Sequence, residues 1–436
     1  MRLVKEILGG MAIMAMGASV QAETLTDFFQ QSKITGQIRS YYFSRLYGTP
    51  AIPNQNAFAL GGILNVQTAP FLGGFGLGVS FFTANSLGTH GADLATVDPT
   101  LMGLNPSINA LGQAYVQFQQ PWILVRAGDQ IINTPWMQSA DARMLPATYQ
   151  GLTLDVTPVR NLHFYGIRVF RWKSRTSGNY YKDNLYYQTG YDGDPLYGGL
   201  ASIPNTEPQA NGTLAFGSSY ALGGAKVETW YYDFYRFANM FYGDASYTLK
   251  TDSGFSPFIG AQYVREWLGN NAFSQFNAPL LGYNGSVDST AYGVQAGLNF
   301  PGGNLSWAYN AIIPHTGAVG DGSIISPYTV GYAFDPLYTT SMTRGLVELG
   351  PGDAWKVKAT YNAFGKAVRI MAAFARYHTY LHGSGNDTYL DITYFPKGSL
   401  KGLSIRDRVE INNGGQYLAP NNRSFVYNRV MLTYRF

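Results

Sequence analysis

The sequence predicts an all-β protein: a single 18-stranded antiparallel transmembrane β-barrel with long external loops. Three observations lead there. The 436 residues include 33 Tyr and 51 Gly, with 15% aromatic and only 13% charged residues, where ordinary soluble domains carry about 25% charged. Beyond the amino-terminal segment no run of about 18 apolar residues occurs, so helices cannot cross a bilayer. What remains alternates apolar and polar residues at period two, and a closed barrel is the other way to satisfy every backbone polar group in lipid.

The elements follow in chain order. Arg2 and Lys5 form a positive start, Ile7 to Ala18 an apolar stretch, and Val20-Gln21-Ala22 a small-residue cleavage site, which together read as an export signal over residues 1–22. The stretch is too short for a membrane anchor, since spanning takes about 20 residues. Residues 23–436 then form one barrel domain. Period-two segments between turn signals give strand starts near Lys33, Ala57, Gly76, Leu111, Trp122, Tyr149, Asn161, Gly212 and Ala225. The other nine start near Asn239, Phe255, Ser289, Asn304, Asp353, Ala367, Asn386, Lys401 and Ser424. An even count suits a bacterial single-chain barrel.

Connections alternate in length. Short ones at Gln119-Gln120-Pro121, Thr157 to Arg160, Ala221 to Gly224, Pro301 to Gly303 and Phe364 to Lys366 should face the periplasm. Long ones at Ala84 to Ala110, Ile131 to Thr148, Thr176 to Asn211, Leu268 to Asp288 and Pro314 to Gly352 should face outward. Loops of that length can fold inward and narrow a lumen. In the last strand Val430, Leu432, Tyr434 and Phe436 share one face, and Arg429, Thr433 and Arg435 the other. A terminal aromatic on such a strand resembles the signal read by the barrel-insertion machinery, so Phe436 is the expected contact with it.

Residues alternating with lipid-facing aromatics must point inward. This parity assigns a basic set to the lumen: Arg39, Arg126, Arg168, Arg369, Arg406, Arg408, Arg429, Arg435, Lys356 and Lys358. Asp155, Glu228 and Asp244 point inward from the other side. Closure puts the last strand beside the first, so most of the cations form one wall, interrupted by Asp391. The resulting transverse field should guide small anionic or zwitterionic solutes, and the planar Arg fork suits carboxylates or phosphates. The bland alternative is that a wet lumen simply carries charges, as in a non-selective pore. Asp407 breaks the pattern, because Leu403, Ile405, Val409 and Ile411 share its parity and face lipid. A bulge there, or pairing with a neighbouring cation, would resolve it.

Other function classes fare worse. A hydrolase needs a nucleophile beside a base, but His90, His163, His315, His378 and His382 sit in no nucleophile motif, and His163 reads as lipid-facing. Gly74-Phe75-Gly76-Leu77-Gly78 lies at a hairpin with no following helix, so it is not a nucleotide loop. A net charge of +4 gives no ground for nucleic-acid binding. No enzyme activity, cofactor or metal is expected. A structural or adhesive role through the Tyr-rich segment Tyr180 to Tyr197 is the stronger rival. A homo-oligomer is left open.

The chain resembles the OprD-type family of substrate-selective outer-membrane porins, the carboxylate channels. Four segments carry the resemblance: Gly36-Gln37-Ile38-Arg39-Ser40-Tyr41-Tyr42-Phe43; Arg126-Ala127-Gly128-Asp129-Gln130 running into Thr134-Pro135-Trp136; Asp141-Ala142-Arg143-Met144-Leu145-Pro146; and Asp335-Pro336-Leu337-Tyr338-Thr339-Thr340-Ser341-Met342. It implies an outer-membrane location, outer-membrane lipid around the barrel, and an arginine ladder in the wall. It also implies that the third and seventh external loops fold in as an eyelet. Asp141, Arg143 and Pro146 fall in the third such loop, and Asp335, Tyr338 and Ser341 in the seventh.

Overall fold

The computed structural model describes residues 25–139, 143–187, 209–268, 286–328, 334–415 and 424–436. The expected export signal lies outside the described residues. Eighteen strands form one sheet. They are β1 (Lys33–Tyr47), β2 (Gln55–Gln67), β3 (Phe75–Asn85), β4 (Ser107–Gln120), β5 (Ile123–Gln130), β6 (Thr148–Val159), β7 (Leu162–Lys173), β8 (Thr213–Leu222) and β9 (Ala225–Phe234). There follow β10 (Ala238–Thr248), β11 (Ser256–Leu268), β12 (Asp288–Phe300), β13 (Gly303–Ile313), β14 (Gly352–Ala363), β15 (Val368–Thr379), β16 (Gly383–Tyr394), β17 (Leu403–Gly414) and β18 (Phe425–Arg435). Each neighbour pair is antiparallel, and β1 pairs with both β2 and β18, which closes the barrel. The widest gap between an expected and an observed strand start is Leu111 against Ser107.

Alternation makes the two faces. In β1, Ile34, Ile38, Tyr42 and Leu46 are exposed, whereas Arg39, Tyr41, Phe43 and Arg45 are buried. The exposed set is apolar because it meets hydrocarbon, and the inner set mixes charge with aromatics because it meets loops and water. Short hairpins serve one end. Pro301 and Gly302 alone join β12 to β13, Pro presetting its own φ and Gly302 taking the left-handed conformation at φ 87° that the tight reversal demands. At the same end a six-residue helix, Leu25–Gln30, rests Phe28 on Phe71. Period-two reading gave no sign of this cap.

The opposite end carries nine connections, here L1 to L9 in chain order, of which L3 (131–147), L4 (174–212) and L7 (314–351) carry described residues that turn into the lumen. They bury apolar side chains against the inner wall in two clusters. One joins Trp136 and Met137 of L3, Leu185 and Tyr186 of L4, and Ile324, Ile325 and Tyr328 of L7 to Trp172, Tyr232 and Phe234 of the wall. The other joins Met144 and Leu145 of L3 and Met342 of L7 to Tyr41, Phe43, Tyr427 and Met431 of β1 and β18. The lumen is therefore packed in part, and what passes must go between its polar remainder.

Candidate functional site

The inner face of β14, β15, β17, β18 and β1 carries Lys356, Lys358, Arg369, Arg406, Arg408, Arg429, Arg39 and, at the short-hairpin mouth, Arg435. Antiparallel register makes neighbours of them. Arg408 stands opposite Arg429 across β17–β18, and Arg408 opposite Asp391 across β16–β17. Asp391 is 4% exposed. It accepts from Arg406 Nε at 2.8 Å and from Arg406 Nη2, and lies 3.0 Å from Arg408 Nε. One carboxylate thus holds two guanidinium groups side by side and cancels one of their charges.

The rungs differ in access. Arg39, Arg408 and Arg429 are buried, whereas Lys358, Arg369 and Arg406 are half-buried and face open lumen. Buried cations set the potential; half-buried ones are within reach of a solute. Arg143 of L3 joins this wall. Its guanidinium and that of Arg429 lie 5.1 and 4.9 Å from the Phe43 ring centre, and Arg39 Nη1 donates to the Arg143 carbonyl. Arg126 of β5 also points inward, but its guanidinium lies 4.2 Å over Tyr115 and donates to Gln117 Oε1 at 3.0 Å.

Asp155, Glu228 and Asp244 lie on inner faces of β6, β9 and β10, each already engaged. Asp155 meets His163 Nδ1 at 3.0 Å. Glu228 accepts from Trp230 Nε1 at 2.8 Å, with Lys226 Nζ at 3.6 Å. Asp244 accepts the Tyr338 hydroxyl from L7.

L7 is held by acids of the wall. Glu410 accepts from Met342 N at 2.8 Å and from the Thr343 hydroxyl, and Asp387 accepts from Ser341 Oγ at 2.6 Å and Arg344 Nε at 2.8 Å. Within L7, Asp335 accepts from Leu337 N at 3.0 Å and Thr340 Oγ1 at 2.7 Å. Burial pushes its carboxyl up to about 6, against the opposing pull of these donors and of Lys356. Lys173, at the top of β7, places its ammonium 3.5 Å from the Pro146 carbonyl and 3.1 Å from that of Ser174, tying L3 to the base of L4. Asp141 lies outside the described residues.

Four expectations are corrected. Arg168 faces outward, not into the lumen: it stands opposite Leu152, whose side chain is 45% exposed, and between the exposed Phe164 and Phe170. Strand β7 has aromatics on both faces, so counting from aromatics chose the wrong parity. His163 for the same reason faces inward, stacked on Tyr165 at 5.8 Å. Asp407 does face lipid, with no break in the β17–β18 register and with the Asn428 amide at 2.9 Å, not a cation, as its partner. In the Tyr-rich segment, Tyr186 and Tyr187 are buried in the lumen rather than displayed for adhesion, while Tyr191 and Tyr197 lie outside the described residues.

Glu410, Asp387 and Arg45 were missed. Each shares parity with a residue already placed inside, Glu410 with Arg408, Asp387 with Asp391 and Arg45 with Arg39, so alternation alone could have found them. Arg45 binds Asp98, in the connection between β3 and β4, at 2.6 Å.

A closed sheet with an apolar outer face, a charged inner face and inward-folded loops defines a channel-forming protein of the bacterial outer membrane. The sequence matches the family described as outer membrane porin, OprD family, over residues 26–317, and the chain belongs to that family. No curated protein sequence matches it. Among solved structures, OccK9 (OpdG) of Pseudomonas aeruginosa superposes with a TM-score of 0.75 at 17% identity, covering 94% of this chain and 99% of that one. OccK2 (OpdF) of the same organism, in complex with glucuronate, gives 0.72 at 14% identity with the same coverage of 94% and 99%. P. aeruginosa OpdK with vanillate gives 0.72 at 15% identity, again with 94% and 99% covered.

Proposed function

We propose that this porin passes small carboxylate-bearing solutes by diffusion along the basic wall. One observation carries the reading: half-buried Lys358, Arg369 and Arg406 line the open lumen beside buried Arg408 and Arg429, across from Asp155, Glu228 and Asp244. A carboxylate stripped of part of its water in the narrow passage gains charge-assisted hydrogen bonds from successive guanidinium groups. Low-dielectric walls focus the field of the buried cations on its path. Glucuronate and vanillate, named with two porins of the same fold, are both carboxylates.

The test replaces Arg369 and Arg406 by Gln, which keeps polarity and approximate size. Uptake of glucuronate into liposomes should fall about tenfold, equivalent to about 1.4 kcal/mol, while glucose enters as before. A parallel fall for both sugars means a narrowed pore. No fall for either removes the wall from solute selection and leaves a non-selective porin.

A further inference from the structure

Arg168, displaced from the lumen, belongs to a cationic cluster on the outside of the barrel at the level of the long connections. Its guanidinium lies 4.5 Å from the ring centres of Phe170 and of Tyr235, the latter in the hairpin between β9 and β10. Nη1 donates to the Asn211 carbonyl at 3.1 Å and the Thr213 carbonyl at 3.5 Å, at the outer end of β8. Nη1 also donates to the Val169 carbonyl of its own strand. Asn211 N in turn bonds the carbonyl of Lys182, whose side chain is exposed. Arg171 is exposed three positions above Arg168, and Arg236 follows Tyr235 in the hairpin.

Among the described residues, two carboxylates act on these four cations, Asp233 on Arg168 and Asp129 on Arg171. Further round the rim the balance is different, with Arg265 matched by Asp288. Arg168 is also held where snorkelling side chains end, its charge at the interface between two rings and its stem on the lipid face. The outer leaflet at that level is a glycolipid whose sugar headgroup carries phosphate monoesters, and arginine matches phosphate oxygens with its fork.

We propose that the outer rim of β7, β8 and the β9–β10 hairpin binds the phosphate groups of the outer-leaflet glycolipid. Arg168 supplies the rigid contact, and Arg171 and Lys182 supply mobile ones. The purified full-length porin in detergent is titrated with bisphosphorylated lipid A and with lipid A from which both phosphates have been removed, binding being read by native mass spectrometry. Wild type should favour the phosphorylated lipid at least tenfold, and the preference should shrink with added salt. The triple variant R168Q, R171Q, K182Q should lose it. Because Arg168 also ties down three backbone carbonyls, R171Q/K182Q is measured alone, with unaltered single-channel conductance as proof of an intact barrel, and should lose part of the preference. Equal binding of the two lipids by wild type, or an undiminished preference in the triple variant, overturns the proposal.

Discussion

Asp407 is a carboxylate on the lipid face, exposed between Ile405 and Val409 and opposite Val430, with one amide hydrogen bond at 2.9 Å from Asn428. An acidic side chain in that setting loses hydration that one neutral donor cannot replace. Asp407→Leu should therefore stabilise the barrel by about 1 kcal/mol, read from urea titrations of refolding into lipid. The converse, a charge at Leu432, should cost about 2 to 4 kcal/mol near the midplane. A destabilised Asp407→Leu variant would mean that the Asp407–Asn428 pair serves the fold. The side of the wall that Asp407 occupies was legible in the sequence, because its strand alternates cleanly. Its partner was not: Asn428 faces Val409 in the register and reaches Asp407 only along the diagonal. Arg168 shows the complementary failure, where Phe164 and Phe170 on one face and Tyr165 and Trp172 on the other leave period two without a polarity to read.

At the level of whole elements, L7 stays in the lumen because wall carboxylates accept its backbone and hydroxyl donors. Glu410→Ala removes acceptors for Met342 N and the Thr343 hydroxyl, so L7 should sample undocked positions. Single-channel records should show a larger mean conductance with more frequent transitions, whereas an unchanged trace would place this part of L7 outside the conduction path. Asp335 adds a pH dependence. Its value of about 6 lies above the ordinary 3.8, so the folded chain holds that proton more tightly than the unfolded one. The stabilisation is present in acid and is lost as pH rises from about 4 through about 6. Wild type should accordingly lose melting temperature between about pH 4 and about pH 6, and Asp335→Asn should lack that component; the same slope in both would assign it elsewhere. Strands were legible because hydrocarbon on one side imposes a single strict period. The inward course of L3 and L7 came from family resemblance, since a loop that packs through Trp136, Ile324 and Tyr328 has no repeat for a periodicity to reveal.

Across the molecule, selectivity depends on how the wall's charge is divided between fixed pairs and free rungs. Arg406 and Arg408 share Asp391, so two of the cations present only part of their charge to a passing solute. Asp391→Asn keeps the shape and an acceptor oxygen while removing the compensating charge. The field from β17 should then strengthen along the path between Arg369 and Arg429. In a planar bilayer under a KCl gradient the reversal potential should move toward the chloride potential, and the shift should shrink near 1 M salt, where the screening length is about 3 Å. Carboxylate flux is expected to respond differently from selectivity. A stronger field brings more anions to the wall, yet conduction requires that each also leave, and an Arg406 fork released from Asp391 can grip a carboxylate in its place. Chloride permeability should therefore rise while glucuronate uptake saturates at lower concentration. If the reversal potential does not move, Arg406 and Arg408 are too well screened to steer ions, and Asp391 is there to hold two like charges together in a folded wall.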